Sequence, residues 1–361
     1  MNQPRLRRPA LVAVVLAAAI SLVAVGCGSS DSGSSSKDDP TTTKASGSTT
    51  DTVAKGDAPE KIRIAYQAIP NGDLIVKQQE LLEKALPDTE IDWQLFDSGG
   101  AVNEAIVAGD IDLGLAGSSP VSRGISNEIP YQVVWIHDVI GDAEALVVKD
   151  DIGGIEDLEG KTIATPFAST AHFSLLAALN DAGVDPSKVN IIDSEPDEIF
   201  AAWGQGDLDG AYVWNPNLAK IIDDGGKVLI TSADLAEKGK TTYDLGVASN
   251  AFAEKYPAAL DAWAKAQDQA ISLIQEDPDS AAEIISAELE ITPEEATAQI
   301  GDLIFVRAAD QVGDEYLGGG LAENLFAAAQ FNKEQGEIEK VLDESAYQDA
   351  VNAAPAESVG S

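Results

Sequence analysis

Cysteine occurs once in this chain, at Cys27, and histidine twice, at His137 and His172. A single cysteine excludes an intrachain disulfide, and so few soft ligands leave little material for a transition-metal site. Basic residues are scarce: 23 Lys and Arg stand against 61 Asp and Glu, a formal net charge of −38. Such a surface repels nucleic acid and anionic lipid headgroups. It also repels small anions, so any anion site must be built locally. The motifs of common catalytic classes are missing too: there is no GxSxG elbow, HExxH pair or Walker A loop. His137 and Asp138 are neighbours in sequence, and neighbours on a strand face opposite sides. A relay through Ser169 and His172 lacks a third member.

The N-terminus accounts for the lone cysteine. MNQPRLRRPA carries three arginines and no acid, and LVAVVLAAAISLVAV follows as an uncharged apolar run. This is the n-region and h-region of a signal peptide. With Gly26-Cys27-Gly28 after it, residues 1–26 resemble a bacterial lipoprotein signal, with Cys27 as the lipidated residue. Ala24 departs from that pattern, which usually has Leu there. A cleaved signal with a chance cysteine, or an uncleaved anchor, is the alternative. Two acyl chains or more would give stable attachment to a membrane. Residues 27–59 are rich in Gly, Ser and Thr and contain no aromatic residue, so they are expected to be a disordered tether. Its root-mean-square reach is roughly 30 Å.

From residue 60 the pattern changes. KIRIAY alternates as a strand, DLIVKQQELLEKAL has helical spacing, and EIDWQLFD alternates again. The β, α order continues through GGAVNEAIVAG, DIDLGLAG, YQVVWIHDVI, EALVVK, KTIATP, the segment to Gly183, KVNIID, EIFAAWGQG, DGAYVW and KVLI. This alternation predicts an α/β protein with mostly parallel sheets. Beyond residue 250 the chain is alanine-rich and helical in spacing. A length of 361 residues with 44% hydrophobic content suits about two domains.

Two helix starts stand out. In PFASTAHFSLLAALNDAG, Ser169-Thr170 opens an apolar-periodic helix just past the strand KTIATP; in GLAGSSPVSRG, Ser118-Ser119 does the same with Pro120 at a first helical position. The first N–H groups of a helix have no internal partner, and the dipole favours an anion there. In open α/β sheets ligands sit beyond the carboxyl ends of strands. Two such starts could grip one anion without a buried arginine; each alone is also compatible with ordinary capping.

The stretches IAYQ, DWQLFDSG, GSSP, EALVVK, PFASTAHFSLLAAL, AAWGQGDLDGAYVWNP and AQFNKEQG, between residues 64 and 336, resemble the nitrate/sulfonate/taurine group of solute-binding proteins of bacterial ABC importers. The resemblance implies an α/β, two-lobed periplasmic-binding-protein fold of type II with a helical C-terminal segment. It places lobe 1 at 60–143 plus 246–350 and lobe 2 at 144–245, with Glu144 and Asp244 at the crossings. It also implies a monomer that carries taurine or a related sulfonate to an ABC permease and its ATPase, with no cofactor and no metal, on the outer face of the membrane.

On that frame, Ser118, Ser119, Thr170, Ala171 and His172 are the expected donors to a sulfonate. Glu144 and Asp244 are the expected acceptors for an ammonium, each such bond being worth about 1.5–3 kcal/mol. Tyr66, Gln67 and Trp214 are expected to line the pocket, while Phe167 and Trp203 are expected to pack. The residue-level alternatives stay open: Glu144 as a solvated strand-edge acid, Asp244 as a turn residue, His172 as a packing residue. The family pattern has an aromatic residue where this chain has Gly246, an expected widening of the pocket. Another alkanesulfonate, nitrate or a thiamine precursor is the alternative ligand, and an enzyme on the same fold the alternative class.

Overall fold

The computed structural model describes residues 58–360. The expected signal peptide, Cys27 and all but the last two residues of the expected tether lie outside them. Among the described residues eleven strands form two sheets. The first contains β1 (Lys61–Tyr66), β2 (Glu90–Leu95), β3 (Leu113–Gly117), β4 (Tyr131–Ile140), β10 (Thr242–Ser249) and β11 (Leu303–Ile304). The second contains β5 (Glu144–Val148), β6 (Thr162–Thr165), β7 (Asn190–Asp193), β8 (Gly210–Trp214) and β9 (Lys227–Thr231). Their orders are β11-β4-β10-β3-β1-β2 and β7-β6-β8-β5-β9.

The two sheets share one plan. Three parallel strands sit in the order second, first, third: β2-β1-β3 in one, β7-β6-β8 in the other. Beside the third lies a strand that has arrived from the other sheet, β10 or β5, and it runs antiparallel to its neighbours. The sheets are therefore mixed, not mostly parallel. The cause is the double crossing: each strand that enters a sheet from the other lobe comes in reversed. The chain leaves the first sheet after Ile140 and returns between Thr231 and Thr242, so Asp244 belongs to the first sheet, inside β10.

Helices cover the sheets, as an α/β fold requires. The run expected as one helix at 73–86 is two, Gly72–Gln78 and Leu81–Ala85, with Glu80 between them at φ 51°. Beyond residue 250 the chain is helical apart from short connections and the two-residue β11. The helix Pro257–Glu276 lays Leu260, Trp263, Ala264 and Ile271 against the first sheet's core. In the second lobe the helix Thr170–Asp181 buries Leu175, Ala178 and Leu179 with Leu146 and Tyr212. Trp203 is buried with Ile199 and Val213, and Lys149 Nζ lies 3.5 Å from its ring centroid. Among the described residues no helix is long and apolar enough to cross a membrane.

Candidate functional site

A cleft lies between the sheets, beyond the carboxyl ends of β1, β3, β6 and β8. It encloses about 490 Å³ of empty space, part of it open to solvent. The first sheet contributes Gln67 and Asp244, and the second contributes Glu144, Ser169, Thr170 and Trp214. None of the lining residues is a lysine, arginine or histidine.

The helix start at Ser169 is built by its own chain. Ala168 takes a left-handed conformation, φ 62°, and turns the backbone out of the loop. Ser169 then caps: its Oγ donates to the carbonyl of Pro166 at 2.6 Å and accepts from the N–H of His172 at 3.1 Å. The helix's first backbone bond runs from Phe173 N–H to Ser169 C=O. The N–H groups of Thr170 and Ala171 precede it and carry the positive end of the dipole. Gly117, at the end of β3, comes so close that a Cβ placed on it would lie 2.6 Å from Thr170 Cγ2. The two lobes meet at this point.

Glu144 is not a solvated edge acid. It is 1% exposed, and three hydroxyls donate to it: Thr170 to Oε2 at 2.6 Å, Ser232 to Oε1 at 2.7 Å and Ser174 to Oε1 at 3.3 Å. Burial raises its pKa, and these hydroxyls pull it back. The Thr170 hydroxyl is thus spent on Glu144 rather than offered to an anion. Asp244 is half-buried and lines the cleft, and burial, then the charge of Glu144, push its pKa up to about 7. Trp214 pairs with Glu144 across β8 and β5 and also faces the cleft. Gln67 lines it while its Nε2 donates to Leu115 C=O at 3.2 Å.

Other expected residues sit elsewhere. Tyr66 is off the cleft: it packs edge-on against Trp93 at 6.0 Å, under Lys77 Nζ. β1 ends at Tyr66, and it is the next residue, Gln67, that reaches the cleft. The hydroxyls of Ser118 and Ser119 turn away, accepting from Tyr243 N–H at 3.2 Å and Asn332 Nδ2 at 3.4 Å. They border a separate hollow beside Phe173 and Phe331, and the cleft meets that helix start at Gly117 and Pro120. Ala171 is buried in the second lobe's core, so only its backbone is left as a donor. His172 is a packing residue: its ring stacks on Phe167 at 4.5 Å, and burial lowers its pKa against the pull of Glu337, 3.7 Å away. Phe167 itself is exposed on its other side.

Gly246 does not widen the pocket. A Cβ there would lie 2.5 Å from Trp263 Cη2 and 2.8 Å from Trp135 Cβ, so the Trp263 ring and the Trp135 side chain occupy the space. Sequence reasoning missed Asp138, Ser174, Ser232 and Asn215. Ser174 is one turn past Thr170 on the same helix face, and Asn215, which also lines the cleft, directly follows Trp214, so both were findable; Ser232 and Asp138 come close only through tertiary pairing, to Glu144 and Asp244.

Comparison with known proteins places this geometry in context. A model of the family described as "NMT1/THI5 like" matches residues 90–281. The taurine-binding periplasmic protein of Escherichia coli K12 is 36% identical over 289 residues, 78% of this chain and 89% of that protein. The alkanesulfonate-binding protein SsuA from Xanthomonas axonopodis pv. citri, solved bound to MOPS, superposes with a TM-score of 0.69 at 23% identity, over 82% of this chain and 98% of that one. The desulfurization enzyme DSZB has a TM-score of 0.62 at 14% identity, over 84% and 99%. The last two are likenesses of fold, and the fold alone does not decide between binding and catalysis.

Proposed function

Because the chain belongs to the NMT1/THI5-like family, we propose that it is the extracytoplasmic solute-binding component of an ABC importer and captures taurine in the cleft between its lobes. The observation that carries the reading is the charge of the cleft. Carboxyl groups of Glu144 and Asp244 line it and no basic side chain does. Glu144 is satisfied by hydroxyls, so Asp244 is left to meet a cation supplied by the ligand. An anionic end then has no cationic side chain to meet in the lining, and the N–H groups opening the helix Thr170–Asp181 are the donors in reach. Taurine has one group of each kind, two methylenes apart, with Trp214 available to cover the methylenes.

The lobes close around the ligand because contacts to both are made only in the closed state. The closed form delivers its cargo to a membrane permease and its ATPase, and the protein acts as a monomer tethered through lipid on Cys27. Binding, not turnover, is its activity. A thermal-shift panel of taurine, longer alkanesulfonates, sulfate, nitrate and thiamine precursors tests this. Taurine should raise the melting temperature progressively with concentration; a shift with another member of the panel and none with taurine contradicts the ligand assignment. Chemical change of any of them would contradict the binding role.

A further inference from the structure

Asp138 is the strand neighbour of the cleft residue Asp244. It sits on β4 directly opposite Asp244 on β10, after which the ladder slips so that Leu245 faces Ile136 and His137 is skipped. It is 0% exposed, and neither carboxyl oxygen accepts from any N–H or hydroxyl. What it faces is Asp244: directly opposed residues of an antiparallel pair set their side chains side by side on one face, so the two carboxyl groups are neighbours and act on each other. Two carboxyl groups in contact need a proton between them, because two carboxylates are both acceptors. The charged groups around the pair do not relieve it. Asp73, from the helix Gly72–Gln78, and Glu144, from the other lobe, are acids. His137 faces Asp73 at 3.9 Å, and burial lowers its pKa and keeps it neutral. Among the described residues no group of three or more such side chains is placed to hold a metal ion.

We propose that Asp138 is a resident neutral carboxylic acid whose O–H donates to Asp244, orienting the Asp244 carboxylate toward the cationic end of the ligand. Asp138 is thus a positioning residue, and this proposal rests on the reading of Asp244 as the cation's partner. Burial first, and the Asp244 charge second, hold the Asp138 pKa well above the usual carboxylate range, in keeping with the geometry. Asp244 titrates near neutrality by contrast. A cation that binds must find Asp244 ionised, so any proton on Asp244 leaves to solvent as the ligand enters. Ligand affinity should then fall about tenfold per pH unit below about pH 7.

The test is calorimetric titration of taurine into the wild type, D138N and D138A from about pH 5 to about pH 9. Asparagine replaces the donated O–H with an N–H, so D138N should stay within about threefold of wild type at neutral pH. D138A removes the donor and should bind at least about tenfold more weakly, with its acid midpoint moved upward. A merely structural role would not produce the rescue by asparagine or the moved midpoint. D138N falling as far as D138A, or a wild-type affinity that ignores pH, would overturn the proposal. The infrared absorption of protonated carboxyl groups in the ligand-free protein gives a second readout: at about pH 9, where Asp244 is ionised, a protonated-carboxyl band should remain in the wild type and be lost in D138N, as read in the wild-type-minus-D138N difference. If D138A does not fold, that band decides. If the wild type does not bind taurine at all, the taurine reading fails by itself, and the same band retains or overturns the resident acid.

Discussion

Asp244 and Glu144 are both cleft carboxyls, yet their surroundings separate them. Glu144 has three hydroxyl donors from its own lobe. Truncating it to alanine would strand Thr170, Ser174 and Ser232, and we expect Glu144→Ala to lower stability by about 2 kcal/mol or more in urea unfolding. Asp244→Asn should instead leave the fold intact and weaken taurine binding by at least about tenfold, or about 1.4 kcal/mol, in calorimetry. The same residue has a pH signature in the empty protein. Its folded pKa is raised, to about 7. The folded state therefore binds more protons than the unfolded one between about pH 4 and about pH 7, and this contribution to stability is lost as pH rises through that window. The melting temperature of wild type minus that of Asp244→Asn should fall from pH 5 to pH 8, roughly the span of that titration.

The elements were largely legible because their periods are local. YQVVWIHDVI reads as a strand and is β4, residue for residue; the strand-helix order from residue 61 to residue 231 follows the alternation of patterns. What pairs with what was not legible. The slip that sets Asp138 against Asp244 is a property of two strands a hundred residues apart, and nothing local marks it. Hydroxyl clusters mark the helix starts but not the direction of each side chain: Ser118, Ser119 and His172 are expected donors to the cleft, and their side chains meet Tyr243, Asn332 and Phe167 instead. Gly117 shows what the element scale adds. Its φ is −64°, so any residue suits its backbone, and only the approach of Thr170 requires glycine. Gly117→Val should hold the lobes apart without unfolding them. Small-angle scattering should then show taurine compacting the wild type and leaving the variant unchanged.

At the scale of the whole molecule, two lobes of one plan are joined by crossings that reverse the chain, and the cleft is where their strand ends face each other. The net charge of −38 leaves the surface without any general attraction for an anion. Selectivity must come from the cleft, where an uncovered acid discriminates against ligands that bring no cation. A plain sulfonate would leave Asp244 ionised and unpaired against Glu144, or force it to take a proton. Taurine and ethanesulfonate differ in that respect and share their sulfonate and methylene framework. Calorimetric titration of both into the same preparation near pH 8 tests the account most directly. Taurine should bind at least about tenfold more tightly than ethanesulfonate, and that ratio should shrink in Asp244→Asn. Equal affinity for the two, or tighter binding of ethanesulfonate, would contradict it.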